Sequence, residues 1–380
     1  MTGPHAEFLM HESAILNHAA RVLAGVTGEL PADAVLRRHL ADSDRLGGRE
    51  RRAISRAVFA AFRWREWLNA RDSLQRQVAA ALDLQARFDA DPRAVKAEAL
   101  AARAVPPWLR EEMDVPAEFL RQLQREPALW LRARPGTAAR LSRELGDCRA
   151  SDRAPDALRY AGKQDLFVTP AFHRGAFEIQ DLSSQLVGHA CAPRAGETWW
   201  DVCAGEGGKL LHLSDLMQNK GLLWATDRNA RRLATLRRRA ARAGVFNFRL
   251  AAWDGGPRLP TKTKFDGILL DAPCSGVGTW QRNPHARWTT SPGDIAELAV
   301  IQRALLEHVV PALRAGGRLV YAVCTLTRRE TTELAAAFGA AHPELEPTPL
   351  FGLSEGPVSV TLWPHELEAN GMFLAAWRRR

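Results

Sequence analysis

The stretch TWWDVCAGEGGKLLHL, residues 198–213, decides how the rest of the chain is read. An apolar run ends in Asp201 and Cys203, glycines follow at 205, 207 and 208, and a helical pattern begins at about residue 208. A strand that enters a helix through a glycine turn is the opening unit of a parallel α/β sheet. Glycine lets the backbone turn tightly and approach a ligand, and the helix N-terminus offers free N–H groups to an anion.

The pattern repeats downstream. Strand-like runs LLWATD (222–227), FNFRLAAWD (246–254), FDGILLDAP (265–273) and GRLVYAVC (317–324) alternate with the helical stretches ARRLATLRRRAARAG (230–244) and DIAELAVIQRALLEHVVPALRAG (294–316). Such alternation predicts a doubly wound, Rossmann-like sheet with right-handed crossovers, whose ligands bind at the carboxyl ends of the strands. Standing at those ends are Asp201, Cys203, Asp227, Asp254, Asp271 and Cys324. A carboxylate is costly to bury without a partner, so acids closing successive strands point to a site.

Three ligands compete for the glycine loop. A Walker-type phosphate loop is excluded, because Cys203 holds its first glycine position and Leu210 its Ser/Thr position. A nicotinamide fingerprint is excluded because Lys209 and Leu210 follow where a third glycine is required. S-adenosylmethionine fits best, with the helix end holding its methionine carboxylate, Asp227 accepting from the ribose hydroxyls and Asp254 from the adenine amino group. The predicted cofactor set is Cys203, Ala204, Gly205, Glu206, Gly207, Gly208, Lys209, Asp227, Arg232, Asp254 and Asp271.

The chain's 380 residues exceed what one core usually organises, so two or three domains are expected. Residues 1–125 read as a helical bundle, with apolar residues at three and four spacing in AEFLMHESAILNHAARVLAG, RAISRAVFAAFRWREWL and AEFLRQLQR. Residues 126–180 read as a small α/β domain of short strands, and residues 181–380 as the doubly wound domain. The net charge of +9 suits a nucleic-acid partner, but the excess is spread evenly and 46 of the 52 basic residues are Arg, so charge alone does not decide. On the helical stretch RLGGRERRAISR, Arg49, Arg52 and Arg56 share one face, which serves either to grip phosphate or simply as a solvated surface.

Five widely spaced cysteines (148, 191, 203, 274, 324) without a C-x-x-C pair suggest free thiols in a reducing compartment and no metal. The opening MTGPHAEFLMHES lacks the features of a secretory leader and no run of 18 apolar residues occurs, so a cytoplasmic protein with no membrane association is expected. Monomer is the default state.

DAPCSGVGTWQRNPHARW (271–288) and YAVCTLTRRE (321–330) resemble the Sun-type (RsmB-like) family of RNA cytosine-5 methyltransferases. The resemblance extends over FHRGAFEIQDLSSQLV, the CAGEGGK loop and LWPHELEANGMFLAAW, about residues 128–380. The N-terminal helices resemble, more loosely, the NusB-like RNA-binding domain of some members. The chemistry explains the residue types. Cytosine C5 is a poor nucleophile, so a thiolate must first add to C6. An acid near N3 takes up the resulting charge. The C5 proton then leaves and the thiolate is expelled. A thiol with an ordinary pKa near 8.5 also needs a positive or hydrogen-bonding neighbourhood, for which Asp271 and Lys209 are candidates.

DNA cytosine-5 methyltransferases attack with the Pro-Cys after the fourth strand, which would be Cys274. The Sun-type resemblance implies instead that Cys324 is the nucleophile, that Cys274 assists release of product and that Asp271 faces the base. It also implies backbone contact of Cys203 with the cofactor, while Cys148 and Cys191 read as core residues. Its implied substrate is ribosomal RNA ahead of transfer RNA. A non-catalytic RNA-binding assembly factor has no use for two thiols at strand ends. A small-molecule or protein methyltransferase is disfavoured by the helical domain and by WQRNPHARW, read as a clamp for single-stranded RNA. Gly205 and Glu206 in the loop, Gln281, His285, Val323 and Asn370 depart from the family pattern, and altered substrate contacts are expected from them.

Overall fold

A computed structural model describes residues 4–380 except Glu29, with side chains from residue 13 onward. The leader reading of MTGPHAEFLMHES therefore lies in part outside the described residues. The chain divides into two compact units, residues 1–127 with 279–291, and residues 128–278 with 292–380.

The first unit is helical, with long helices Pro4–Ala24, Ala32–Ala41, Gly48–Arg63 and Leu74–Ala90 followed by shorter ones. Ile54, Ala57, Val58 and Ala61 bury one face of Gly48–Arg63, at the three and four spacing that an amphipathic helix requires. The helix starts where the Gly47 N–H donates to Glu50 Oε2 at 2.7 Å. Val22, Val78, Trp64 and Phe88 complete the core. Gln85 Oε1 accepts from Arg63 Nη1 (2.8 Å) and Trp64 Nε1 (3.1 Å), which satisfies two buried donors at once. On the arginine face, Arg56 is paired with Asp89 and Glu126, while Arg49 and Arg52 are exposed.

Residues 279–291 belong to this helical unit, and here the structure corrects the sequence reading of WQRNPHARW. Trp280 and Arg287 are fully buried, and Gln281 and His285 nearly so. Arg287 donates to the carbonyls of Ala104 (2.9 Å) and Leu123 (3.0 Å), Trp288 Nε1 to Phe62 O (2.7 Å), and Gln281 Nε2 to Glu126 O (3.2 Å). Trp280, Gln281, His285, Arg287 and Trp288 are thus engaged with the protein and not free to clamp RNA as a group, while Arg282 is exposed. The departures at Gln281 and His285 accordingly sit in packing, His285 edge-on to Phe62 at 4.8 Å.

The second unit begins with a four-stranded antiparallel sheet, β1 (Leu129–Ala133), β2 (Cys148–Ala150), β3 (Ala157–Tyr160) and β4 (Phe177–Ile179), in the order β2-β3-β1-β4. The doubly wound sheet follows with β5 (Thr198–Asp201), β6 (Leu222–Asp227), β7 (Phe248–Ala252), β8 (Phe265–Asp271) and β9 (Leu313–Val323). β10 (Leu345–Pro347), β11 (Ser359–Leu362) and β12 (Met372–Arg379) complete it. The order is β10-β12-β9-β8-β5-β6-β7, with β5 to β9 mutually parallel, β12 antiparallel to β9, and β11 paired with β12. Buried ion pairs join the small sheet to helices of the doubly wound part: Asp215, on the helix Gly208–Leu216, binds Arg132 and Arg134, and Glu178 binds Arg239 (2.8 Å) and Arg242 (2.6 Å) on the helix Ala230–Ala243.

The helix expected over 294–316 spans Pro292–Val309 instead, and β9 begins at Leu313. Pro311 lacks the N–H that would continue the helical ladder, so the chain passes through a short 3-10 turn before the strand. No helix among the described residues is long and apolar enough to cross a membrane.

Candidate active site

β5 is the switch point of the sheet, flanked by β6 on one side and β8 on the other, which is where a doubly wound fold opens a ligand crevice. β8 and β9 pair with Asp271 opposite Ala322. Cys274 lies three residues beyond Asp271 and Cys324 two beyond Ala322, so both leave the sheet at the same end, and their sulfurs are 3.2 Å apart. Two backbone bonds hold the loops together, Ala272 N–H to Ala322 O at 3.0 Å and Gly278 N–H to Cys324 O at 3.1 Å. A Cβ on Gly278 would fall 2.0 Å from Gly371 O, so only glycine lets the chain pass there.

Lys209, in the first turn of the helix Gly208–Leu216, links the glycine loop to this pair. Its Nζ donates to Asp271 Oδ2 at 2.7 Å, with both side chains largely buried. Burial pulls the ammonium pKa down, but the Asp271 carboxylate and, beyond it, the Cys324 thiol hold it above the ordinary lysine value.

The two thiols titrate as a pair. Cys324 is held below the ordinary cysteine value by the hydrogen bond from Cys274, with Lys209 helping and burial and Asp271 opposing. Cys274 is pushed well above it by the same bond, by burial and by the negative charges of Cys324, Glu330 and Asp271. The anionic charge belongs on Cys324, because the Lys209 cation acts on that sulfur while Glu330 acts on the other. Burial, with Asp271 and Asp201, pushes Cys203 up, and burial does the same to Cys191 in the core.

The glycine loop is shaped from one side and open at its end. Gly205 (φ 56°) donates its N–H to Asp227 Oδ2 at 2.9 Å, and Asn229 N–H donates to Asp227 Oδ1 at 2.8 Å. Arg232 Nη1 stands 3.6 Å from the same carboxylate. At Gly207 (φ 85°) a Cβ would meet Leu236 Cγ at 2.5 Å, whereas at Gly208, on the helix N-terminus, it would meet nothing within 4 Å. Ala204 is buried, its N–H donating to Thr226 O (2.9 Å), and Glu206 is exposed. Asp254 is exposed and accepts from Gly256 N–H at 2.9 Å within its own turn.

The structure thus gathers the 203–209 loop with Asp227 and Arg232, and, through Lys209, gathers Asp271, Cys274 and Cys324. Asp254 follows β7 by two residues, next to Trp253, whose backbone N–H donates to Asp227 O at 3.3 Å. Asp201 belongs to the site's electrostatics, although sequence reasoning noted it only as a strand-end acid. It is buried, and burial with Asp271 and Asp227 raises its pKa to about 8 against the pull of Lys209 and of a hydrogen bond from the Leu210 N–H. Glu330 was visible only as the acid of TRRE, with nothing in its spacing to mark it as fully buried. Among the described residues no cluster of His, Cys, Asp or Glu is arranged to hold a metal ion.

The family model for 16S rRNA methyltransferase RsmB/F matches residues 189–378. A probable ribosomal RNA small subunit methyltransferase B of Synechocystis sp. is 33% identical over 70% of this chain and 63% of its own length. One of Bacillus subtilis is 34% identical over 60% and 53%. The chain therefore spans between about half and two thirds of the length of these relatives. Among solved structures, that of PH0851 superimposes with a TM-score of 0.80 at 23% identity, covering 97% of this chain and 98% of that one. A methyltransferase homologue from Pyrococcus horikoshii gives 0.61 at 26% identity, covering 70% and 90%.

Proposed function

From the premise that the chain belongs to the 16S rRNA methyltransferase RsmB/F family, we propose that it methylates C5 of a cytosine in RNA, through a covalent adduct between Cys324 and C6. The observation that carries this reading is the thiol pair at 3.2 Å with the Lys209–Asp271 ion pair beside it. A binding protein gains nothing from a thiol held below its ordinary pKa.

S-adenosylmethionine would supply the electrophilic methyl group. The residues present fit it: Gly208 leaves open space at a helix N-terminus suited to a carboxylate, and Asp227 retains lone pairs beyond the two it gives the loop. Cys203 to Lys209, Asp227, Arg232, Asp254 and Asp271 are assigned to its binding. A relative of this fold from Pyrococcus horikoshii, NSun6, was solved with SFG, an analogue of that cofactor.

Cys324 attacks C6 as the thiolate. As the ring gains negative charge, a proton passes from the Lys209 ammonium through the Asp271 carboxyl to N3, and before that step Lys209 keeps the carboxylate and the thiolate from repelling each other. Once C5 has been methylated, its proton passes to a water molecule, the C–H electron pair restores the C5–C6 double bond, the Cys324–C6 bond breaks and N3 returns its proton to Lys209 through Asp271. The Cys274 S–H then stabilises the departing thiolate by the same hydrogen bond that prepared it. Ribosomal RNA is the proposed substrate, following the names of the relatives. Residues 1–125 and 126–180 are assigned to RNA binding and 181–380 to catalysis.

The test incubates the protein with labelled S-adenosylmethionine and separated 16S and transfer RNA, followed by nucleoside analysis. Label in 5-methylcytidine of 16S RNA is expected. Label in transfer RNA reassigns the substrate, and no label in any RNA defeats the proposal.

A further inference from the structure

Glu330 lies six residues beyond Cys324, in the short helical turn Arg328–Glu330, and is fully buried. Its carboxylate gathers donors from both cysteine loops. Oε1 accepts from the Ser275 backbone N–H and from Gln302 Nε2, each at 2.9 Å. Oε2 accepts from the Ser275 hydroxyl, from Thr327 Oγ1 at 2.8 Å and from Thr325 Oγ1 at 3.2 Å. Gln302 Nε2 also donates to Pro273 O at 2.9 Å, and the Tyr321 hydroxyl lies 3.0 Å from Gln302 Oε1 and 2.7 Å from Glu330 O. Pro273 and Ser275 are the two neighbours of Cys274, and Thr325 is the immediate successor of Cys324.

We propose that Glu330 is a positioning residue that clamps the Cys274 loop to the Cys324 loop and thereby sets the distance between the two sulfurs. The inference rests on the reading of the cysteines given above. Adjacent strands run about 4.8 Å apart, and beyond their ends nothing in the sheet keeps the loops in register. A shared acceptor does so here. A carboxylate suits the place, because four donors and the Thr325 hydroxyl, which it shares with Ser275 Oγ at 2.8 Å, converge on a group that offers about four lone-pair sites. An amide in its place would turn N–H groups toward the Ser275 and Thr327 donors.

The charge has a second effect. Cys274 is faced by Cys324, Glu330 and Asp271, and Cys324 by Cys274, Asp271 and Lys209. Glu330 acts on the Cys274 side of the pair and keeps the proton there, which leaves Cys324 as the thiolate. Losing the clamp lets the two sulfurs separate and weakens the hydrogen bond that lowers Cys324, and this outweighs the easier ionisation of Cys274 that comes with losing the charge, so the Cys324 titration moves up.

The experiment follows alkylation of Cys324 by iodoacetamide as a function of pH, resolved by peptide mass spectrometry, in the full chain and in Glu330→Gln, Glu330→Asp and Ser275→Ala. For Glu330→Gln the midpoint is expected to rise by about one pH unit, with a roughly tenfold slower reaction at pH 7. Glu330→Asp is expected to recover part of that rate. An unchanged midpoint in a Glu330→Gln protein with native circular dichroism overturns the proposal. Should Glu330→Gln fail to fold, Ser275→Ala decides, since a smaller shift in the same direction is expected and no shift refutes the clamp. The readout uses neither RNA nor cofactor. A missing methyl transfer in the unaltered protein would defeat the proposed function and leave this result standing.

Discussion

The sulfur atoms of Cys274 and Cys324 lie 3.2 Å apart although fifty residues separate them along the chain. Adjacent parallel strands carry them to the same carboxyl end of the sheet, where Asp271 at the end of β8 and Lys209 on the helix that follows β5 complete their surroundings.

The proposed mechanism gives the two thiols different jobs, so their removal is expected to have different outcomes. Cys324→Ala is expected to abolish both 5-methylcytidine formation, by at least about a thousandfold, and the covalent protein–RNA adduct. Cys274→Ala is expected to accumulate the adduct, seen as RNA-shifted protein on a denaturing gel. An adduct that survives the first change and vanishes in the second exchanges the roles.

Lys209→Met removes the cation that favours the Cys324 thiolate and leaves Asp271 facing the sulfur. Both effects raise the thiol pKa, so the thiolate fraction at neutral pH falls. Alkylation of Cys324 at pH 7 is expected to slow roughly tenfold for a shift of about one unit, and to recover at higher pH. An unchanged pH profile would show that Lys209 does not act on this sulfur.

Asp201 makes stability depend on pH. Its folded pKa is about 8, above the usual value of 3.8, so between these limits the folded state holds a proton that the unfolded chain releases. Stability from this group is thus fully present at low pH and is lost as pH rises through that window, at up to about 1.4 kcal/mol per unit. Asp201→Asn is expected to flatten this decline, with a gain over the unaltered protein that grows from pH 5 to pH 8 in denaturant titrations. A gain independent of pH would contradict the assignment.

Arg287 is fully buried and bonded to two backbone carbonyls. Arg287→Met leaves those two acceptors without their donors and is expected to cost about 2–6 kcal/mol of stability, from roughly 1–3 for each unsatisfied group. Urea unfolding measures it. A residue that served RNA alone would leave the unfolding midpoint where it was.

Much of the fold was legible because its signals are local. The strand at Leu222–Asp227 and the helix at Ala230–Ala243 follow from periodicity, and the loop from the glycines that its positive φ angles at 205 and 207 require. The helix ending at Val309 shows that Pro311 was a stronger stop than the apolar pattern running through it. WQRNPHARW misled because a basic and aromatic run has the same composition whether it meets RNA or a protein interior. Only its partners, Ala104, Leu123 and Phe62, distinguish the two.

By itself the sequence determined the residue types: two cysteines and an aspartate at strand ends, a glycine loop and the family they belong to. These are one-dimensional properties, set by spacing and side-chain chemistry. The tertiary structure decided which of them meet. Strand order brings β8 and β9 together, the Lys209 ammonium comes to rest on Asp271, and Glu330 binds both cysteine loops. The charge on a thiol depends on these neighbours, because electrostatic and hydrogen-bond energies fall away within a few ångströms, a distance that separation along the chain does not measure.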